Sequence, residues 1–327
     1  MKDLFKINLQ LFAEMNTNVT TDSGLSVEMK TFYDMTLIDE AQPNLVHDQF
    51  GQKRPIPANG GKKIEFRKFA SLPKALTALT EGVTPDGKKL TAEKIEAEVS
   101  QYGDYIVQSD VLELTSIDNT IVEATKVLGS QAGRTLDTIV RNILHSGTNV
   151  YYCPKEGGTA VDSRAGLDST CKLTVDVIKR VVAILKKNNA PKINGDYVAI
   201  IHPYIAYDLM SDPAWIEAHK YATPENIYEG EIGKVAGVRF VESSEAKIYD
   251  GGVFGTLVIA DGAYGTTEIT GGGLQTIVKQ KGSAGTADPL DQRSSVGWKA
   301  MKTAEILVDA YMVRIESKST LTDVEAN

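Results

Sequence analysis

Two short runs of alternating residues constrain this chain more than any other feature. KKIEFRKF sets Ile64, Phe66 and Phe69 among charges, and AEKIEAEV sets Ile95, Ala97 and Val99 among charges. Both lie close to the two-residue period of a β-strand, with Phe69 one residue out of phase. Between them, LPKALTALTEGVTPDGKKL carries Thr84-Pro85-Asp86-Gly87, in which proline fixes φ and glycine accepts positive φ, a turn signal. The pair predicts a long two-stranded ribbon. Such a ribbon is marginal alone in water, because neither face has a partner. It must lie on another surface, and a projecting arm finds that surface on a neighbouring copy. Lys62, Lys63, Arg67 and Lys68 stand on one limb, and Glu93, Glu96 and Glu98 flank Lys94 on the other. These seven are the candidate intersubunit contacts. Their charges either pair across the ribbon or meet a neighbour and set its register.

The ribbon precedes the best helix signal in the chain. Thr120-Ile-Val-Glu123 fits a capping box, with Asp118 as an alternative cap. Apolar positions recur at Ile121, Ala124, Leu128, Ala132, Leu136, Ile139 and Ile143, and the pattern stops at His145-Ser146-Gly147. At 1.5 Å per residue the helix is roughly 35 Å long, enough to be the spine of a domain. Gly129 and Gly133 inside it each cost about 1 kcal/mol against alanine and suggest a close backbone approach. From Val175 onward helix and strand alternate. Val175, Ile178, Val182 and Leu185 mark a helix closed by Asn188-Asn189-Ala190-Pro191, and PYIAYDLM a short one. DYVAIIH, VRFVE, TLVIA, LQTIVKQ and SSVGWKA read as strands, and the near-continuous run AEILVDAYMVRIES as one central strand. Upstream, Met15–Gly24 is polar and small, hence mobile or docked on something else, and a short amphipathic helix is expected around Ser26–Ala41. The class is α+β with mixed sheets.

Composition excludes more than it selects. The 327 residues carry a net charge of -8, and a protein gripping nucleic acid through phosphates shows the opposite balance. No run approaches the roughly 20 apolar residues of a membrane helix. The opening MKDLFKINLQLFAE is not a signal peptide, since Asn8 and Gln10 interrupt its apolar stretch and Asp3 intrudes among its charges. Cys153 and Cys171 form no CxxC pair and read as two unpaired thiols. Lys-bearing glycine stretches at Gly61 and Gly233 lack the rest of a phosphate loop; GxSxG, HExxH and GxGxxG are absent. The histidines His47, His145, His202 and His219 are scattered. His202 with Tyr204 and Asp208 is the one local group with catalytic appearance, and it lacks a nucleophile and a second acid. Asp250 before two glycines reads as a turn. No catalytic, cofactor-binding or metal-binding residue is expected.

The order of parts, namely N-terminal arm, projecting ribbon, spine helix, α/β domain and returning strand, resembles the major capsid proteins of tailed phages with the Hong Kong 97-type fold. So does the wording. SGLSVEMKTFYDMTLIDEAQPNLVHDQFGQKRPIP, NGGKKIEFRKF, LTEGVTPDG, QYGDYIVQSD, LELTSIDNTIVEATKVLG, IIHPYIAYDLMSDPAWIEAHKYA and KTAEILVDAYMVRIES are similar to the phage N4-type major capsid family, over Ser23 to Ser319. LQLFAE is similar to N-terminal peptides on coat and scaffold proteins of phages of Gram-positive hosts, and it departs from the family by lying upstream of Met15.

The resemblance implies an N-terminal arm at 1–55, an extended β-hairpin loop at 56–110, and a peripheral domain with the spine helix at 111–173. An axial domain at 174–300 and a returning strand with a C-terminal tail at 301–327 complete it. It implies homo-hexamers and pentamers in an icosahedral head around double-stranded DNA bound without sequence specificity. Scaffolding protein, portal and optionally a decoration protein are the implied partners, with no membrane. Shells would be assembled in the host cytoplasm and end in the virion capsid. Some relatives crosslink through the extended loop; no crosslink is expected from Lys62, Lys63, Lys88 or Lys89. The rival readings are an encapsulin-like nanocompartment shell and, in a different class, an α/β hydrolytic enzyme.

Overall fold

The computed structural model describes residues 17–19, 37, 40–41, 45–69, 72–78, 81–82, 84, 86–115, 120–219, 233–283, 288–322 and 325–327. The expected helix at Ser26–Ala41 lies outside these, apart from helical Leu37, Glu40 and Ala41. In chain order the strands and helices are β1 (Thr17–Val19), β2 (Gln52–Lys53), β3 (Lys63–Phe69), β4 (Ala92–Glu98), β5 (Ser100–Ser109), α1 (Asp110–Thr115) and α2 (Thr120–Leu144). They continue with β6 (Val150–Tyr152), α3 (Val175–Lys187), β7 (Tyr197–Ile201), α4 (Pro203–Met210), α5 (Pro213–His219), β8 (Lys234–Val235) and β9 (Val238–Glu242). The last are β10 (Ile248–Tyr249), β11 (Val253–Ile259), β12 (Tyr264–Thr267), β13 (Gln275–Lys279), β14 (Arg293–Ile306) and β15 (Met312–Ser317).

Two compact units share the chain, one from residues 1–43, 101–133 and 273–300, the other from 44–100, 134–272 and 301–327. Both α2 and β14 run from the first unit into the second. In the first unit, β13 pairs antiparallel with the start of β14, and β1 pairs parallel with the end of β5. Trp298 is buried there, its indole N–H donating to Gln131 Oε1 at 3.2 Å, while the Gln131 amide donates to Asp104 at 2.7 Å.

The second unit is built around a sheet of order β6-β15-β11-β7-β9-β8, with β10 on β11. Its central strands are buried on both faces, which is why YVAII shows no polar alternation. Ala199, Ile201, Val258, Val313 and Ile315 face one core with Val177, Ile178, Val181 and Leu185 of α3. The residues one step along, Ile200, Leu257, Ile259 and Met312, face a second core with Val140 and Leu144 of α2. Period two thus distributes each strand between two helices. α3 starts where the sequence predicts, its first turn capped by the Thr174 hydroxyl accepting from Val177 N–H, and it ends at Asn188-Asn189.

Three expectations need correction. AEILVDAYMVRIES is not one strand: β14 ends at Ile306, a 3-10 turn spans Asp309–Tyr311, and β15 follows in the other sheet. The Asp309 carboxylate accepts from Thr148 N–H at 3.1 Å, and Leu307 and Val308 N–H both reach the Ala263 carbonyl, which holds the bend open in a run that is otherwise apolar. The capping box does not open at Thr120: that residue is already helical, its carbonyl receives the Gln108 amide at 3.2 Å, and Glu123 pairs with Lys126 at 2.8 Å; the alternative cap, Asp118, lies outside the described residues. Finally, the buried stripe of α2 drifts at its C-terminal end onto Val140 and Leu144, leaving Ile139 and Ile143 half-buried.

The close approach expected at the helix glycines is real at Gly129. A Cβ there would lie 2.7 Å from the Leu37 carbonyl oxygen and 3.0 Å from Glu40 Cβ. Gly129→Ala should therefore destabilise by about 1–3 kcal/mol, although alanine is the better helix former by about 1 kcal/mol. Urea unfolding checks this; a stabilised variant would mean the Leu37 segment does not press on the helix.

Candidate assembly surface: the charged ribbon

β3 and β4 pair antiparallel in the register Lys63↔Glu98 through Phe69↔Ala92. One face is apolar near its base. Phe66, Ala97 and Val99 are buried, and Phe66 lies on Gly265 of β12, where a Cβ would come within 2.9 Å of its ring. The glycine is needed for that contact. Arg54 stands over the same ring, 5.8 Å from its centroid. The base of the ribbon is thus fixed to its own subunit.

The opposite face is polar. Lys63 pairs with Glu98 at 3.3 Å on it, while Lys68 and Glu93, which continue the Phe66 face toward the tip, approach at 4.0 Å, as the charge pattern of the two limbs predicts. The centre was hidden in the sequence, because register puts Glu65 directly opposite Glu96 and Arg67 opposite Lys94. The Glu65–Glu96 opposition is resolved by Lys94, which reaches both carboxylates at 2.6 Å. Those hydrogen bonds raise the Lys94 ammonium above its ordinary range and lower the Glu96 carboxyl. Lys62 and Arg67 make no ion pair among the described residues. Every paired member is well exposed, so these contacts contribute little to folding and instead fix the charge pattern presented outward.

Beyond the strands the described residues of the tip are all exposed, and several are large and apolar. Leu72, Leu76 and Leu90, and Phe69 at the end of β3, are each more than half exposed, Leu76 at 86%. A soluble protein gains nothing from four such side chains on one projection unless something covers them.

The remaining candidates are structural. His202 Nδ1 accepts from Tyr204 N–H at 3.2 Å and so caps α4, while Asp208 accepts from Thr320 N–H at 2.9 Å. Asp250 lies in a turn followed by two glycines of positive φ. Cys153 and Cys171 are free, buried thiols, and burial pushes the Cys153 thiol far up. The His219 side chain lies outside the description. Among the described residues no His, Cys, Asp and Glu group could hold a metal, and no helix is long and apolar enough to cross a membrane. A groove beside the start of α3 has its polar rim internally paired, Lys155 with Asp168 at 2.7 Å and Arg180 with Asp176 at 2.7 Å.

One constellation escaped the sequence reading. Asp137 and Arg141 on α2 and His145 just past its end recur every four residues and are all buried. Asp137 accepts from His47 N–H at 2.7 Å and meets its Nδ1 at 2.6 Å; the Arg141 guanidinium donates to the Glu245 carbonyl at 2.6 Å. Next to them, fully buried Glu316 accepts two 2.6 Å bonds from Arg164 and one of 3.0 Å from Arg314. Arg164 also stacks over Tyr249, 3.6 Å from the ring centroid. The i, i+4, i+8 spacing was readable in the sequence; apolar periodicity alone passes over it.

A projecting charged ribbon with an uncovered apolar tip, a long helix shared by two units and a doubly covered sheet together define an α+β shell-subunit fold of the Hong Kong 97 type. The model of the phage capsid protein family matches residues 109–272, half of the sequence, and the chain belongs to that family: it is a structural protein of the bacteriophage capsid, of the major capsid kind. The fold is similar to the capsid of cyanophage P-SCSP1u, at TM-score 0.67 and 15% identity over 84% of this chain and 89% of that one. It is also similar to the head of Helicobacter pylori bacteriophage KHP40, at 0.63 and 12% over 96% and 98%. A virus-like particle from Pyrococcus furiosus matches at 0.52 and 11% over 88% and 100%. No curated protein matches the sequence.

Proposed function

We propose that this chain, an N4-type major capsid protein, assembles with copies of itself into the hexamers and pentamers of an icosahedral head enclosing double-stranded DNA. Its role is structural and not catalytic. Residues 1–55 serve as the arm, 56–110 as the extended loop, 111–173 and 301–327 as the peripheral domain, and 174–300 as the axial domain. Scaffolding protein, portal and a decoration protein are the partners, with assembly in the host cytoplasm. The observation that carries the reading is the ribbon, anchored at its base by Phe66 and bare at its tip, where Leu72, Leu76 and Leu90 await cover. A neighbouring copy supplies it, and Lys62, Lys63, Arg67, Lys68, Glu93, Glu96 and Glu98 set the register of that contact. Many weak contacts suffice, because ring closure multiplies them. The acidic balance of the chain keeps it from clamping the genome.

Electron microscopy of the purified chain, alone and with its scaffold, tests the reading. Closed particles on the order of hundreds of Å across are expected of a closed point-group assembly. Folded monomers in both samples would overturn it. A shell around protein cargo is the second reading, kept open by the fold shared with the Pyrococcus furiosus particle. Terminase and portal genes beside this one support the phage head; a cargo enzyme gene supports the compartment.

A further inference from the structure

The buried stripe along α2 has no part in the ribbon. Its C-terminal member, His145, is almost wholly buried. The ring Nδ1 meets the Tyr249 hydroxyl at 2.9 Å, with the two rings edge to face at 5.8 Å. Among the described residues Nε2 has no hydrogen-bond partner, and neither have Arg141 Nε nor His47 Nε2. β11 closes over the ring at Gly255, where a Cβ would fall 2.6 Å from His145 Cε1. Arg314 of β15 donates to the His145 carbonyl and, at 3.1 Å, to that of Gly147, so the same residues tie the end of α2 to the sheet.

The charges around the ring are unevenly disposed. Arg141 approaches along α2, Arg314 from β15, Lys247 from beside β10, and His47 from the segment before β2. The carboxylates nearby are committed. Glu316 is held by Arg164 and Arg314, and Asp137 by His47. Glu245 offers Arg141 its backbone carbonyl, and its carboxylate charge is engaged with Arg141 as well. A proton on His145 would therefore put a cation among cations, in a buried site with no free anion to answer it.

We propose that His145 is an acid-operated latch: uncharged, it seats the C-terminal turn of α2 against β10, β11 and β15; protonated, it releases that turn. Burial first, then the neighbouring cations, hold the ring well below its ordinary value of 6.5. The open or unfolded form, with an ordinary ring, binds more protons below that pH. Closure is thus complete at neutral pH and weakens as pH falls below about 6.5, tenfold per unit, until the seated ring itself protonates.

The test is amide hydrogen exchange on the intact chain as a function of pH, corrected for intrinsic rates. Protection over residues 143–149 and β15 should fall about tenfold per unit between roughly pH 6.5 and pH 5, and should stay flat in His145→Gln, which keeps a hydrogen-bonding group but cannot titrate. A flat wild-type profile, or an equal fall in His145→Gln, overturns the latch. The latter would point to His202, whose capping nitrogen is also lost on protonation. Should His145→Gln not fold, exchange at the ring C2–H of the wild-type protein decides: a midpoint well below 6.5 is expected, and one at 6.5 or above overturns the proposal.

Discussion

Replacing Glu316 by alanine should cost about 3–5 kcal/mol and lower Tm by roughly 10 °C, the largest single-residue effect outside the apolar cores. The carboxylate is completely buried and is the acceptor for both Arg164 and Arg314. Removing it leaves the Arg314 guanidinium, itself only 12% exposed, without an anion in the interior of the second unit. The arginines are not equivalent. Arg164 is 40% exposed and can turn to water, so Arg164→Ala should cost much less than Glu316→Ala. The same asymmetry makes the pair a double-mutant cycle with a clear sign: losing Arg164 as well should not relieve the Glu316→Ala defect, because Arg314 remains stranded. Urea unfolding of the three variants reads this directly. A Glu316→Ala cost below about 1 kcal/mol would show that the carboxylate is not what holds this side of β15.

Deleting the ribbon tip, Leu79 to Leu90, should have the opposite profile: almost no effect on the stability of the isolated subunit and a complete loss of shells. The fixed part of the ribbon is its base, where Phe66, Ala97 and Val99 are buried, and the deletion leaves that base intact. What it removes is part of the exposed apolar end. Subunit melting curves close to wild type, with no closed particles in the microscope, are the expected pair of results. Normal shells from the deletion would sink the claim that the ribbon matters to assembly. A deletion that unfolds the subunit would show that the tip packs at home.

The parts of this fold that were legible in the sequence are those whose periodicity is set locally. The stripe of α2, the helix from Val175 and the ribbon limbs each depend on a run of residues whose spacing matches one repeat. What could not be read depends on partners far along the chain. The Glu65–Glu96 opposition and its rescue by Lys94 follow from a register fixed by folding, since the long connection between the limbs imposes none. The break between β14 and β15 was masked because a single aspartate interrupts an apolar run. The buried polar stripe was passed over because amphipathic reasoning asks where apolar side chains recur, and Asp137, Arg141 and His145 recur with the same geometry. Which ribbon charges touch a neighbour is not a property of one chain at all.

The centre of one sheet and an inner strand of the other come from the last stretch of the chain. β14 stands between β5 and β12, and β15 between β6 and β11. A ribosome that has made every residue up to 292 has therefore produced one sheet without its centre, and another in which β11 is an open edge and β6 has no partner. The nascent subunit has no finished surface to offer a neighbour while it is still tethered. Translation itself acts as a checkpoint: a chain cut short before β14 carries its ribbon on an unfinished body with open strand edges, and belongs to the chaperones and proteases of the cell, not to the lattice.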